Sequence, residues 1–263
     1  MNAQENLDPQ KNNAANRVTL EVCANSVASA LAAQAGGAMR VELCENLKEG
    51  GTTPSNGQIL FARNLLHIKL YVLIRPRGGD FLYTDMEYDI MCADVRYCIE
   101  TGCDGIVIGI LNADGTIDKE RCLAMVQLAK QWGLGVTFHR AFDMCADQFI
   151  ALEEIIEMGC ERILTSGGKS TAIEGATVLN HLVERAAGRI CIMAGAGVNE
   201  ANVANLVHFT GVTEIHSSAR VVTQSRMKHR NDHILMSNLP GDEFTIEVSD
   251  IARVIELIRL ANA

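Results

Sequence analysis

Short apolar runs rich in β-branched residues recur along the chain, at Val18, Arg40, Lys69, Gly105, Gly135, Glu161, Arg189 and Glu214. Each is followed by a segment of helical periodicity, near 26–35, 55–66, 85–101, 118–132, 147–158, 172–187, 200–209 and 250–261. The first pattern suits a strand buried on both faces and the second an amphipathic helix, so eight strands are predicted to alternate with eight helices. Thr53 before Pro54 predicts a helix start with proline in its first turn, and Thr84 with Glu87 has capping-box spacing. Glycines 37, 102, 133, 159, 188 and 211 stand just before the following strand, where a helix end favours a left-handed residue.

Strict βα alternation requires a parallel sheet with right-handed crossovers, either closed or doubly wound. An open dinucleotide-binding sheet would carry glycines after its first strand, and Cys23-Ala24-Asn25-Ser26 has none. Eight units in 263 residues fit a single α/β domain, a (β/α)8 TIM barrel over 17–263. The Asn- and Gln-rich stretch 1–16 is expected to be a loose, disordered tail, neither signal nor anchor.

The net charge of -9 repels polyanions, so nucleic acid and anionic lipid are not expected as partners. No apolar run approaches the roughly twenty residues of a membrane span. Nine cysteines without a CxxC pair suggest reduced thiols in a cytoplasm. These features leave a small molecule or ion as the expected partner.

Strand side chains alternate, so Glu21 shares a face with Cys23, Glu42 with Cys44, Leu73 with Arg75, Thr137 with His139, and Glu214 with His216. At a barrel mouth Glu21, Glu42, Arg75, His139 and His216 would converge, with Asp143 just beyond, bringing acid, base and cation together as a catalytic set. The competing reading is a buried ion-pair network that only fixes the barrel interior. Arg75 and Arg77 flank Pro76 and could clamp a carboxylate or phosphate, although Arg77 could equally pair with Asp80 on a solvated loop. Small residues after the last three strands, including Ser166, Gly167, Gly195, Gly197, Ser217 and Ser218, expose backbone N–H groups where barrels often hold phosphate. Cys23 and Cys44 end neighbouring strands about 4.8 Å apart, close enough to share Cu(I), although buried cysteine is often inert packing. A basic patch of Arg226, Lys228, His229 and Arg230 is expected to cover the mouth or a subunit contact.

Leu20-Glu-Val-Cys23, Arg40-Val-Glu-Leu-Cys44 and Glu49-Gly-Gly-Thr-Thr-Pro54 resemble the CutC family. So do Ile74-Arg-Pro-Arg-Gly-Gly-Asp80, Thr137-Phe-His-Arg-Ala-Phe-Asp143, Leu164-Thr-Ser-Gly167, Met193-Ala-Gly-Ala-Gly197 and Glu214-Ile-His-Ser-Ser218. The resemblance implies a cytoplasmic, often oligomeric barrel, here expected as a homo-oligomer, with a role in copper homeostasis. It also implies Cys23 and Cys44 as the metal ligands, with Cu(I) bound. The alternative is a TIM-barrel enzyme acting on a small phosphorylated or carboxylate substrate by acid–base chemistry.

Overall fold

The computed structural model describes residues 17–231, 233–234 and 243–263. The polar stretch 1–16 lies outside the described residues. Eight parallel strands, β1 (Thr19–Ala24), β2 (Arg40–Leu43), β3 (Lys69–Leu73), β4 (Gly105–Ile108), β5 (Gly135–Phe138), β6 (Arg162–Thr165), β7 (Cys191–Ala194) and β8 (Glu214–Ser217), close in sequential order. Around them run α1 (Val27–Ala35), α2 (Asn56–Leu65), α3 (Asp85–Thr101), α4 (Lys119–Gln131), α5 (Gln148–Met158), α6 (Ala176–Ala186), α7 (Val203–Thr210) and α8 (Ile251–Ala261). This is the expected (β/α)8 barrel.

Local chemistry explains the element boundaries. Thr84 and Glu87 form the reciprocal capping box that starts α3. The six joint glycines all take positive φ. Thr53, by contrast, does not cap α2: its hydroxyl accepts from the Arg75 backbone N–H at 2.9 Å, and Ser55 caps the helix instead. α6 and α7 begin a few residues later than the periodicity predicts, because turns occupy 172–175 and 201–202. Between β8 and α8 the chain also forms an antiparallel ribbon, β9 (Arg220–Gln224) with β10 (Thr245–Ser249), which the alternation does not predict.

The apolar core lies between the strands and the helices. The barrel interior is different, because its lower part is charged. Arg40 is hydrogen-bonded to Glu21 and Glu214, while Arg162 reaches Glu214 at 3.1 Å and also pairs with Glu161. Tyr71 packs against both guanidinium groups, whose central carbons lie 5.1 and 5.2 Å from its ring centre, with its hydroxyl donating to Glu161. Two strand glycines make this possible. A Cβ at Gly105 would stand 2.4 Å from the Tyr71 ring, and one at Gly135 would stand 1.9 Å from its hydroxyl.

Burial alone would raise the Glu21 pKa, but Arg40 and His216 overcome it and hold the carboxyl at about 2. The stability this contributes is present above the ordinary carboxylate range and is lost as pH falls toward 2. Arg40→Met leaves Glu21 buried without its principal counter-ion and should destabilise the protein by about 3–5 kcal/mol at pH 7. Urea denaturation from pH 7 down to pH 3 should show the gap to the wild type narrowing as Glu21 protonates. An equally stable variant at pH 7 would refute this account of the network.

Candidate functional site

The alternation that puts Glu21, Arg40 and Glu214 deep in the barrel brings Cys23, Glu42 and His216 to its carboxyl-terminal mouth. There a cavity of about 100 Å³ is lined by Cys23, Glu42, Cys44, Arg75, His139, Arg140 and His216, with apolar walls from Leu47, Leu73, Phe81 and Leu164. Glu21 lies beneath it, near Glu42, and accepts from the His216 Nδ1–H at 2.9 Å. His216 Nε2 stands 3.5 Å from Glu42.

Burial alone would hold His216 neutral, but Cys23, Glu21 and Glu42 outweigh it and keep its pKa well above the ordinary histidine value. Glu42 lacks an arginine of its own. Burial pushes its carboxyl up, His216 draws it partly back, and Glu21 raises it again. A proton can therefore be held between His216 and Glu42 at the cavity wall.

The two thiols meet at the same wall, with Cys23 Sγ and Cys44 Sγ 3.4 Å apart and both free. The hydrogen bond to Cys44, burial and the nearby Glu42 raise the Cys23 pKa well above its usual value, so this thiol is protonated. Cys23, Glu42 and Cys44 offer one ligand atom each within 4.8 Å of one another, as do Glu21, Glu42 and His216. The second set is engaged already, since Glu21 is held by Arg40 and His216. The two thiols take part in no ion pair among the described residues, while Glu42, common to both sets, faces His216.

His139 sits at the end of β5 with its Nδ1 accepting from the Ala141 N–H at 3.1 Å, which places the proton on Nε2. That Nε2–H is buried and has no partner among the described residues. Burial and the charge of Arg75 lower the ring's pKa to about 3. A Cβ at Gly109 would come 2.5 Å from the ring, so the imidazole fits only because a glycine directly follows β4.

The remaining candidates divide. The Arg75 guanidinium lines the cavity but is held by three backbone carbonyls, those of Glu49, Gly51 and Gly79. Arg77 turns outward to Glu87 and Asp80, so the two arginines do not form one clamp. The backbone N–H groups after β6 do bind a carboxylate, but it is the protein's own. Asp143 accepts from the Ser166 and Gly168 N–H groups and from the hydroxyls of Thr165 and Ser166. Ser166, Gly167 and Asp143 do not line the mouth cavity, although Asp143 and Ser166 both bind the lining residue Arg140. Gly197, Ser217 and Ser218 line an adjoining depression that shares Cys23, Arg140 and His216 with the cavity. Gly195 serves packing: a Cβ there would meet Leu164 at 2.4 Å. Arg226, Lys228, His229 and Arg230 are exposed beyond β9, and none lines the mouth. The network partners Arg40, Arg162 and Tyr71 were not among the candidates, although Arg40 shares parity with Glu42 and Arg162 with Leu164, the same signal that marks the mouth residues.

Fold and mouth together define a (β/α)8-barrel protein whose cavity joins two thiols to a buried carboxylate–imidazole chain. The model of the CutC family matches residues 18–221, and the chain belongs to that family. It is 51% identical over 243 residues to a CutC family protein of Xylella fastidiosa, covering 92% of this chain and 88% of that one. It is 45% identical to the copper homeostasis protein cutC homolog of Homo sapiens, over 96% of this chain and 92% of the relative. A solved CutC structure from Streptococcus agalactiae superposes with a TM-score of 0.72 at 37% identity, covering 76% of this chain and 98% of that chain. None of the described helices is long and apolar enough to cross a membrane.

Long-range ¹H–¹⁵N NMR should find His139 neutral and protonated on Nε2, with no titration between pH 8 and pH 5, given a pKa of about 3. Protonation on Nδ1, or a midpoint inside that window, would contradict the assigned geometry.

Proposed function

We propose that this CutC-family protein acts in copper homeostasis by binding Cu(I) between the Cys23 and Cys44 sulfurs. The observation that carries this reading is the 3.4 Å approach of two free thiols on the wall of one cavity. Soft sulfur ligands favour monovalent copper over harder cations, which prefer carboxylate and imidazole. The alternative donors, Glu21 and His216, are already paired with each other, and Glu21 is paired with Arg40 as well. A cytoplasmic setting suits the reading, because reducing conditions keep thiols free. The homeostasis role named for the human relative is consistent with it.

Binding requires each thiol to give up its proton. Glu42 stands beside Cys23 as the group that can receive one. The test is an anaerobic Cu(I) titration against a competing chelator. The wild type should bind one equivalent, and Cys23→Ser and Cys44→Ser should each lose at least about tenfold in affinity, in line with removal of one of two ligands. Unchanged affinity in either variant would remove that cysteine from the site, and unchanged affinity in both would end the proposal.

A further inference from the structure

Besides the thiols, the mouth cavity carries two polar groups that the protein leaves unanswered. One is His139 Nε2–H, buried, donor-only, and without an acceptor among the described residues. A native protein seldom buries a donor in this way, because an unmade hydrogen bond leaves its desolvation uncompensated. The other is the positive charge of Arg75. Its guanidinium is buried and bonded to backbone carbonyls, and it has no carboxylate partner among the described residues. Buried charges are otherwise paired throughout this barrel: Arg40 and Arg162 both meet glutamates. Glu42, the acid on the cavity wall, faces His216 and Cys23 instead.

Phe81 joins these two groups spatially, with its ring 5.0 Å below the Arg75 guanidinium carbon and 5.1 Å from the His139 ring. Leu73 and Leu164 complete an apolar wall beside it. We propose that the cavity binds a small organic carboxylate, one carboxylate oxygen accepting from His139 Nε2–H, its charge set against Arg75 and its carbon skeleton on Phe81, Leu73 and Leu164. A phosphate dianion fits this wall less well, because it needs more donors than a mainly apolar surface with one free imidazole N–H supplies. The inference goes beyond copper handling and does not depend on the cysteines.

Calorimetric titration of the metal-free, full-length protein with 2-oxobutyrate and with butyrate tests the inference, using butyramide and inorganic phosphate as comparators. At least one carboxylate should bind one-to-one, more tightly than either comparator. His139→Asn retains an acceptor for the Ala141 N–H but removes the inner donor, and should weaken binding by about tenfold or more, as expected for a lost hydrogen bond to a charged partner. His139→Gln, which places an amide N–H near the Nε2 position, should recover most of the affinity. The Cys23→Ser/Cys44→Ser double variant should bind the carboxylate like the wild type, which separates this inference from the copper reading. Neither carboxylate binding at millimolar concentration, phosphate binding more tightly than both, or His139→Asn binding like the wild type would each overturn it.

Discussion

The pairing of Glu21 and Glu214 with Arg40 inside the barrel is the interaction on which the mouth depends. Water is excluded there, so an acid can stay ionised only against a buried cation. Arg40 holds Glu21 as a carboxylate, Cys23, Glu21 and Glu42 together favour the protonated form of His216, and His216 faces Glu42. Charge therefore passes upward from a structural layer to the cavity wall through a chain of contacts. This dependence also answers the choice between a buried ion network and a mouth constellation, because the two are stacked: Glu21 belongs to the network, and Glu42 and His139 to the cavity.

Side-chain volume imposes a second constraint. Tyr71 spans the interior only because Gly105 and Gly135 vacate the facing strands, and His139 has room only because Gly109 follows β4. The absence of side chains at two strand positions and one just beyond a strand is what lets two large rings enter a space that a barrel usually fills with branched aliphatics. Loops are tied to the same centre. Arg75 binds carbonyls on both the β2–α2 and β3–α3 connections, so the rim of the cavity is fixed by a residue of its wall.

The sequence made the barrel legible because period-two and period-3.6 patterns alternate without interruption, and glycines mark six of the joints. It revealed the mouth residues through strand parity, which needs only the fold class to become spatial. It did not reveal which charges pair, since Arg40 and Arg162 carry the same parity signal as Glu42, and only the stagger of the strands decides depth. It also did not reveal what fills a nest of N–H groups. The turn after β6 has the composition of an anion site, but Asp143, 23 residues before Ser166, supplies the anion from within. Arg75 and Arg77 illustrate the same limit, because two residues of like parity at a strand end part once one is captured by loop carbonyls and the other by Glu87. The β9–β10 ribbon was hidden because its strands are separated by a long connection and pair antiparallel, outside the repeat that organises the rest.

The two ends of the mouth cavity do not act independently. Cu(I) held by two thiolates would carry a net negative charge, a few ångströms from Glu42. A carboxylate against His139 and Arg75 would place a second negative charge in the same cavity of about 100 Å³. Like charges at such separations repel strongly when water is excluded. The cations that can offset them are already committed in part, since His216 is paired with Glu21 and Arg140 with Asp143. Loading one end must therefore weaken the other, and by thermodynamic reciprocity each ligand lowers the other's affinity by the same factor. A barrel whose interior charges are so closely matched can admit one additional anion at its mouth far more readily than two.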